Sequence, residues 1–124
     1  MTTVLLVEDE LDVAELIQDA LEDAKLDVQV AHTDEAAYQS LAREARSFDV
    51  LVADINLGVG TTGFDVARRA RQLNPKLKVV YITGHAAHQS RFGVSGSVMF
   101  PKPFNPRELA DQIEALVADD ARGA

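Results

Sequence analysis

The chain has 124 residues, 47% of them hydrophobic, a formal net charge of −8 and no cysteine. That length bounds it to one domain, and the acidic balance opposes direct nucleic-acid contact, which needs Lys and Arg against phosphates. Lack of thiols excludes disulfides and thiolate metal sites and fits a cytoplasmic setting, and no apolar stretch approaches the roughly 18 residues of a membrane span.

In chain order, apolar periodicity alternates between short continuous runs and amphipathic stretches. Met1-Thr2 leads directly into a strand at 3–7, which is read as leaving no room for a secretion signal. A helix over 11–24 follows, with Leu11, Ala14, Ile17, Ala20, Leu21 and Ala24 on one face. A short strand at 28–31 precedes a helix near 34–46, with Ala37, Leu41 and Ala45 inward. Strand 49–53 leads through a loop to a helix over 63–73 that buries Val66, Ala67, Ala70 and Leu73. Asn74-Pro75 ends that helix, because proline cannot continue it and restricts its predecessor. Strands 78–82 and 97–100 follow, separated by a segment containing glycine and serine. The last helix is signalled by Asn105 as cap, Pro106 in the first turn and Glu108 at the capping-box position. Its buried stripe is Leu109, Ile113, Leu116 and Val117. Residues 1–118 are predicted to form the domain, and 119–124 a fraying, flexible tail.

Continuous apolar strands alternating with helices predict an α/β fold, a parallel sheet covered on both faces. Right-handed crossovers leave the flavodoxin-like (βα)5 three-layer sandwich, strand order 2-1-3-4-5, as the expected topology. Its switch point lies between strands 1 and 3, which end in Glu8-Asp9 and Asp54. Thr83 and Lys102 follow strands 4 and 5, so all five polar groups are expected at the carboxyl edge of the sheet. A nucleotide site would place a glycine-rich loop after strand 1, but Glu8-Asp9-Glu10 would repel phosphate. Two like charges at about 4 Å repel by about 4 kcal/mol at an effective dielectric of 20. A hard cation such as Mg²⁺, which takes carboxylates, carbonyls and waters, would relieve that strain. The sequence predicts a metal-dependent acidic pocket with one hydroxyl and one ammonium.

These residues, in this order, resemble a response-regulator receiver domain of two-component phosphorelay systems. The matching positions are the acidic pair Glu8-Asp9, Asp54, Thr83, the aromatic Phe100 and Lys102-Pro103. The resemblance implies that Asp54 accepts a phosphoryl group from phosphohistidine on a sensor histidine kinase or phosphotransfer protein. It implies Mg²⁺ held by Asp9, Asp54 and the Asn56 carbonyl, with Glu8 acting through water, and Lys102 neutralising phosphoryl charge. Thr83 and Phe100 would form the conformational switch, and Lys102-Pro103 a cis-proline junction. The chain would then be a signalling phosphoacceptor, catalysing only its own phosphorylation and dephosphorylation.

The sequence departs from the pattern twice. The loop after Asp54, through Gly63, lacks the usual proline and is rich in glycine. Only residues 84–97 separate strands 4 and 5, which predicts a short or disordered fourth helix. Within it, His85 is either a residue that tunes dephosphorylation or a plain loop histidine. The basic run Arg68-Arg69-Ala70-Arg71 reads as a solvated helix face. Three alternatives accompany the stand-alone receiver. A fragment of a hybrid kinase or larger regulator would keep the phosphoacceptor role. An aspartyl-nucleophile phosphatase would need a second acid two residues after Asp54, where Asn56 stands. A pseudo-receiver would not need the complete acid, hydroxyl and lysine set.

Overall fold

A computed structural model describes residues 2–57, 62–84 and 93–123, with side chains to Ala118. Five strands, β1 (Thr3–Val7), β2 (Asp27–Ala31), β3 (Val50–Asp54), β4 (Lys78–Thr83) and β5 (Val98–Pro101), form one sheet in the order β2-β1-β3-β4-β5. Every pairing is parallel. Helices α1 (Leu11–Asp23), α2 (Asp34–Glu44), α3 (Gly63–Leu73) and α4 (Pro106–Gly123) are described, with a 3-10 turn at Ala45–Ser47. This is the predicted flavodoxin-like three-layer arrangement.

Strand alternation sends successive side chains to opposite faces, and two cores result. Leu5, Leu51, Val79 and Tyr81 pack with α2 and α3 through Leu41, Phe64, Val66 and Ala70. Leu6, Val52, Val80 and Ile82 pack on the other face with Ile17 and Leu21 of α1 and Leu109 and Ile113 of α4. The middle strand β3 is buried along its whole length, so truncating Leu51, fully buried, would cost about 2–5 kcal/mol.

The helix ends are built from side-chain and backbone caps. Thr33 accepts a hydrogen bond from the Ala36 N–H. Thr62 and Asp65 form a reciprocal capping box at the start of α3. The Asn105 side chain accepts from the Arg107 N–H at 2.9 Å, the predicted cap of α4. Helix α1 closes with Lys25 at φ 69°, the Lys25 N–H on the Glu22 carbonyl and the Leu26 N–H on the Leu21 carbonyl. That is a Schellman closure with lysine in the left-handed position usually given to glycine.

Two expectations change. Leu11 is 64% exposed; as the first residue of α1 it stands above the sheet, and the buried stripe is Ala14, Ile17 and Leu21. The backbone of α4 is described through Gly123. The helix predicted near 34–46 gives way to the 3-10 turn at Ala45. Of the segment expected to hold a short or disordered fourth helix, residues 85–92 lie outside the described residues, as does His85. Residues 93–97 enter β5 through a turn with Gly96 at φ 73°.

Candidate functional site

The parallel register brings the ends of β1, β3, β4 and β5 to one edge. Val7 pairs with Ala53, Asp54 with Ile82, and Thr83 with Pro101. Each strand therefore delivers the polar residue at its carboxyl end to the same rim. The rim is laced by backbone bonds: Glu8 N–H to the Ala31 carbonyl (3.0 Å), Ile55 N–H to the Ile82 carbonyl (3.1 Å) and Lys102 N–H to the Thr83 carbonyl (2.8 Å).

Asp54 sits at the centre and is 2% exposed. Its Oδ2 accepts from Lys102 Nζ at 2.8 Å and its Oδ1 from the Asn56 N–H at 2.9 Å. One carboxylate oxygen from each of Glu8, Asp9 and Asp54 lies within 4.8 Å of the others. Glu8 is fully buried. Its Oε2 accepts from the Glu10 N–H at 3.1 Å, while its Oε1 is buried with no hydrogen-bond partner. Asp9 is exposed at the mouth. Peptide bond Lys102-Pro103 is cis, as predicted.

The electrostatics follow from this crowding. Burial, only partly offset by the Glu10 N–H and augmented by the Asp54 charge, pushes the Glu8 carboxyl up to about 8. Burial pulls Lys102 down, but the hydrogen bond to Asp54 and the charges of Asp54, Glu8 and Glu10 outweigh it, and its net shift is upward. One ammonium thus faces three carboxyl groups, one of which has a buried oxygen with no partner. An all-oxygen donor set with a positive charge missing fits a hard divalent cation.

The predicted residues Glu8, Asp9, Asp54 and Lys102 converge. Asn56 is exposed beside Asp54, and Thr83, 1% exposed, closes the neighbouring strand. Phe100 does not join them. It pairs with Ile82 in register, packs on the core shared with α1 and α4, and meets Phe104 edge-to-face at 5.2 Å. Thr83 lies two residues past Tyr81, whose face belongs to the other core. Phe100 therefore lies on the opposite face of the sheet from Thr83.

One supporting residue was not singled out by the sequence reading. A Cβ on Gly63 would stand 2.4 Å from the Asp54 carbonyl oxygen, and the Gly63 N–H donates to the Ile55 carbonyl at 3.0 Å. Only glycine lets the start of α3 lie against the backbone that carries Asp54. A glycine directly after the Thr62 cap was the available signal.

Comparison with known proteins agrees with this geometry. Residues 4–114 match the family model described as the response regulator receiver domain. A response regulator receiver protein of Brucella abortus (strain 2308), CpdR, is 32% identical over 120 residues, covering 94% of this chain and 98% of that protein. The transcriptional regulatory protein CpxR of Klebsiella pneumoniae is 30% identical over 94% of this chain, which spans 50% of that longer protein. The crystal structure of a response regulator receiver protein from Sinorhizobium medicae WSM419 superposes with a TM-score of 0.87 at 29% identity, over 94% of each chain. The chain belongs to the response-regulator receiver-domain family. Its role is that of the receiver domain in two-component signalling, and no helix among the described residues is long and apolar enough to cross a membrane.

Proposed function

We propose that Asp54 is the phosphoacceptor, and that it takes its phosphoryl group from a phosphohistidine on a sensor histidine kinase or phosphotransfer protein. The observation that carries this reading is the placement of Asp54: nearly buried, with Lys102 Nζ at 2.8 Å and two further carboxylates beside it. An Asp54 oxygen attacks phosphorus, the P–N bond breaks, its electrons return to the imidazole, and an acyl phosphate forms. The Asn56 N–H on Oδ1 fixes the carboxylate's orientation, leaving lone pairs for attack. Lys102 is near enough to transfer its hydrogen bond from Asp54 to an oxygen of the arriving group, neutralising charge as it develops. Thr83 would donate its hydroxyl to another phosphoryl oxygen.

Glu8 (through water), Asp9, Asp54 and the Asn56 carbonyl would hold Mg²⁺. Bound there, the ion would supply the positive charge that lets carboxylates and phosphoryl oxygens share one pocket. Discharge is hydrolysis of the acyl phosphate, with no other substrate turned over. A cytoplasmic location fits a phosphohistidine donor. The same role would hold in a stand-alone chain or a longer regulator.

The test is incubation with acetyl phosphate and Mg²⁺, read by intact mass. The expected result is one added phosphoryl group in the wild type and none in Asp54→Asn. A wild type that stays unmodified would favour a pseudo-receiver, and steady turnover of small phosphoesters a phosphatase.

A further inference from the structure

The acidic total of the chain is unevenly spread. Residues 43–78 hold seven of the twelve cationic side chains and four of the twenty acids, one of which is Asp54. Asp54 ends β3 at the carboxyl rim, whereas Asp49 precedes the same strand at the amino edge of the sheet. At that edge a cavity of about 210 Å³ is lined by Arg46 of the 3-10 turn, Lys76 of the turn after α3, Lys78 at the start of β4, and Asp49. Its apolar walls are Phe48 and Val117, which belong to the cores on opposite faces of the sheet. Buried Asn74 also lines it and ties its parts together. The Asn74 Nδ2 donates to the Ala45 and Phe48 carbonyls, on either side of Arg46, at 3.1 and 2.9 Å. The Asn74 Oδ1 accepts from the Lys76 N–H at 3.3 Å. Asp49 has one carboxylate oxygen engaged, its Oδ2 accepting from the Thr3 N–H at 2.8 Å. Among the described residues, the Arg46 guanidinium and the Lys76 ammonium have no hydrogen-bond or ion-pair partner.

We propose that this cavity binds a small oxyanion of the phosphate class, at the opposite edge of the sheet from the acidic pocket. Three cations from three chain segments meet one carboxylate there, in a chain whose charges are otherwise mostly negative. Local sequence does not gather them; the Asn74 bonds do, by fixing the backbone on both sides of Arg46 and at Lys76. The cations therefore converge on a prepared backbone, and less ordering has to accompany binding. Arginine offers a planar fork that matches two phosphate oxygens, and lysine adds a compact point charge. The size of the cavity selects a small ligand, since drug-sized molecules occupy clefts of roughly 300–1,000 Å³. Occupation of this site requires no phosphoryl group on Asp54.

The test is a titration of ¹⁵N-labelled protein with inorganic phosphate and then with pyrophosphate, in EDTA, with sodium chloride holding the ionic strength constant. EDTA keeps divalent ions from drawing phosphate to Asp54. The expected result is saturable shifts at the Asp49, Lys76 and Lys78 amides, with the Asp9 and Asn56 amides unmoved. Arg46→Gln and Lys76→Gln should each weaken binding by roughly tenfold, the scale of a lost hydrogen bond to a charged group. Asp49→Asn keeps an acceptor for the Thr3 N–H and removes the one opposing charge, so it should tighten binding several-fold. A gain of that kind cannot come from a damaged fold. Shifts that never saturate would overturn the proposal, as would binding left unchanged by both Arg46→Gln and Lys76→Gln, or a saturable response centred on Asp9 and Asn56. A response to poly-glutamate with none to phosphate or pyrophosphate would overturn it too, assigning the basic cluster to an acidic protein surface instead.

Discussion

Glu8 is held in a position that disfavours its charged form. Its carboxyl, held near 8 by burial, binds a proton in the folded chain over a range where the unfolded chain, near 4.5, has released it. The folded state therefore carries more protons between those values, and stability falls as pH rises through that window. Urea unfolding in EDTA from pH 5 to pH 8.5 should show a declining midpoint, and Glu8→Gln should flatten the slope. Mg²⁺ should restore stability at the upper end, because it favours the ionised form. Lys102 has the complementary role: Lys102→Met should slow acetyl-phosphate labelling of Asp54 by roughly a hundredfold or more, measured by mass at short times. The site acids and Lys102 were legible in the sequence because apolar runs that end on charge mark strand ends. The face that Phe100 takes was not legible, because neither spacing nor hydrophobicity says which way a β5 residue points. Only pairing with β4 fixes that, through Tyr81 opposite Met99 and Ile82 opposite Phe100.

At the scale of elements, two backbone positions make opposite predictions. Gly63→Ala forces a Cβ onto the Asp54 carbonyl, so α3 must shift away from the strand that carries the phosphoacceptor. A loss of about 1–3 kcal/mol is expected in denaturant unfolding, with slower labelling of Asp54. Lys25→Gly, at φ 69°, should stabilise by about 0.5–1 kcal/mol, since glycine meets no Cβ penalty in the left-handed region. Labelling should be unchanged, Lys25 lying at the far end of α1. Strands and helices were readable from periodicity, and the end of α3 from Asn74-Pro75. The work of Asn74 was not: its side chain donates to the Ala45 and Phe48 carbonyls at 3.1 and 2.9 Å, long-range contacts that leave no local pattern. Nor was the exposure of Leu11, whose helical phase matches the buried stripe but whose height above the sheet does not.

Across the whole molecule, charge is divided between the two helical layers. Helix α1, together with α4 through Ala118, carries eight acids and one arginine. Helices α2 and α3 with the 3-10 turn carry four acids and five arginines. Exposed Leu11 and Leu16, at 64% and 62%, stand in the acidic layer, and Leu16 lines an apolar groove with Val13, Phe104 and Lys102. A protein donor meeting that layer would be steered by charges of opposite sign, so phosphotransfer from such a donor should slow as salt rises from 50 to about 500 mM. Acetyl phosphate, an anion, should show no such loss. The acidic total was plain in the composition, but its segregation required knowing which helices share a face of the sheet.

Chemical trapping of the phosphorylated residue bears most directly on the account. Protein treated with acetyl phosphate and Mg²⁺, reduced with borohydride and digested, should yield homoserine at position 54 alone, and none when EDTA replaces the metal. Reduction at another aspartate, or equal yield at Asp54 without divalent cation, would contradict it.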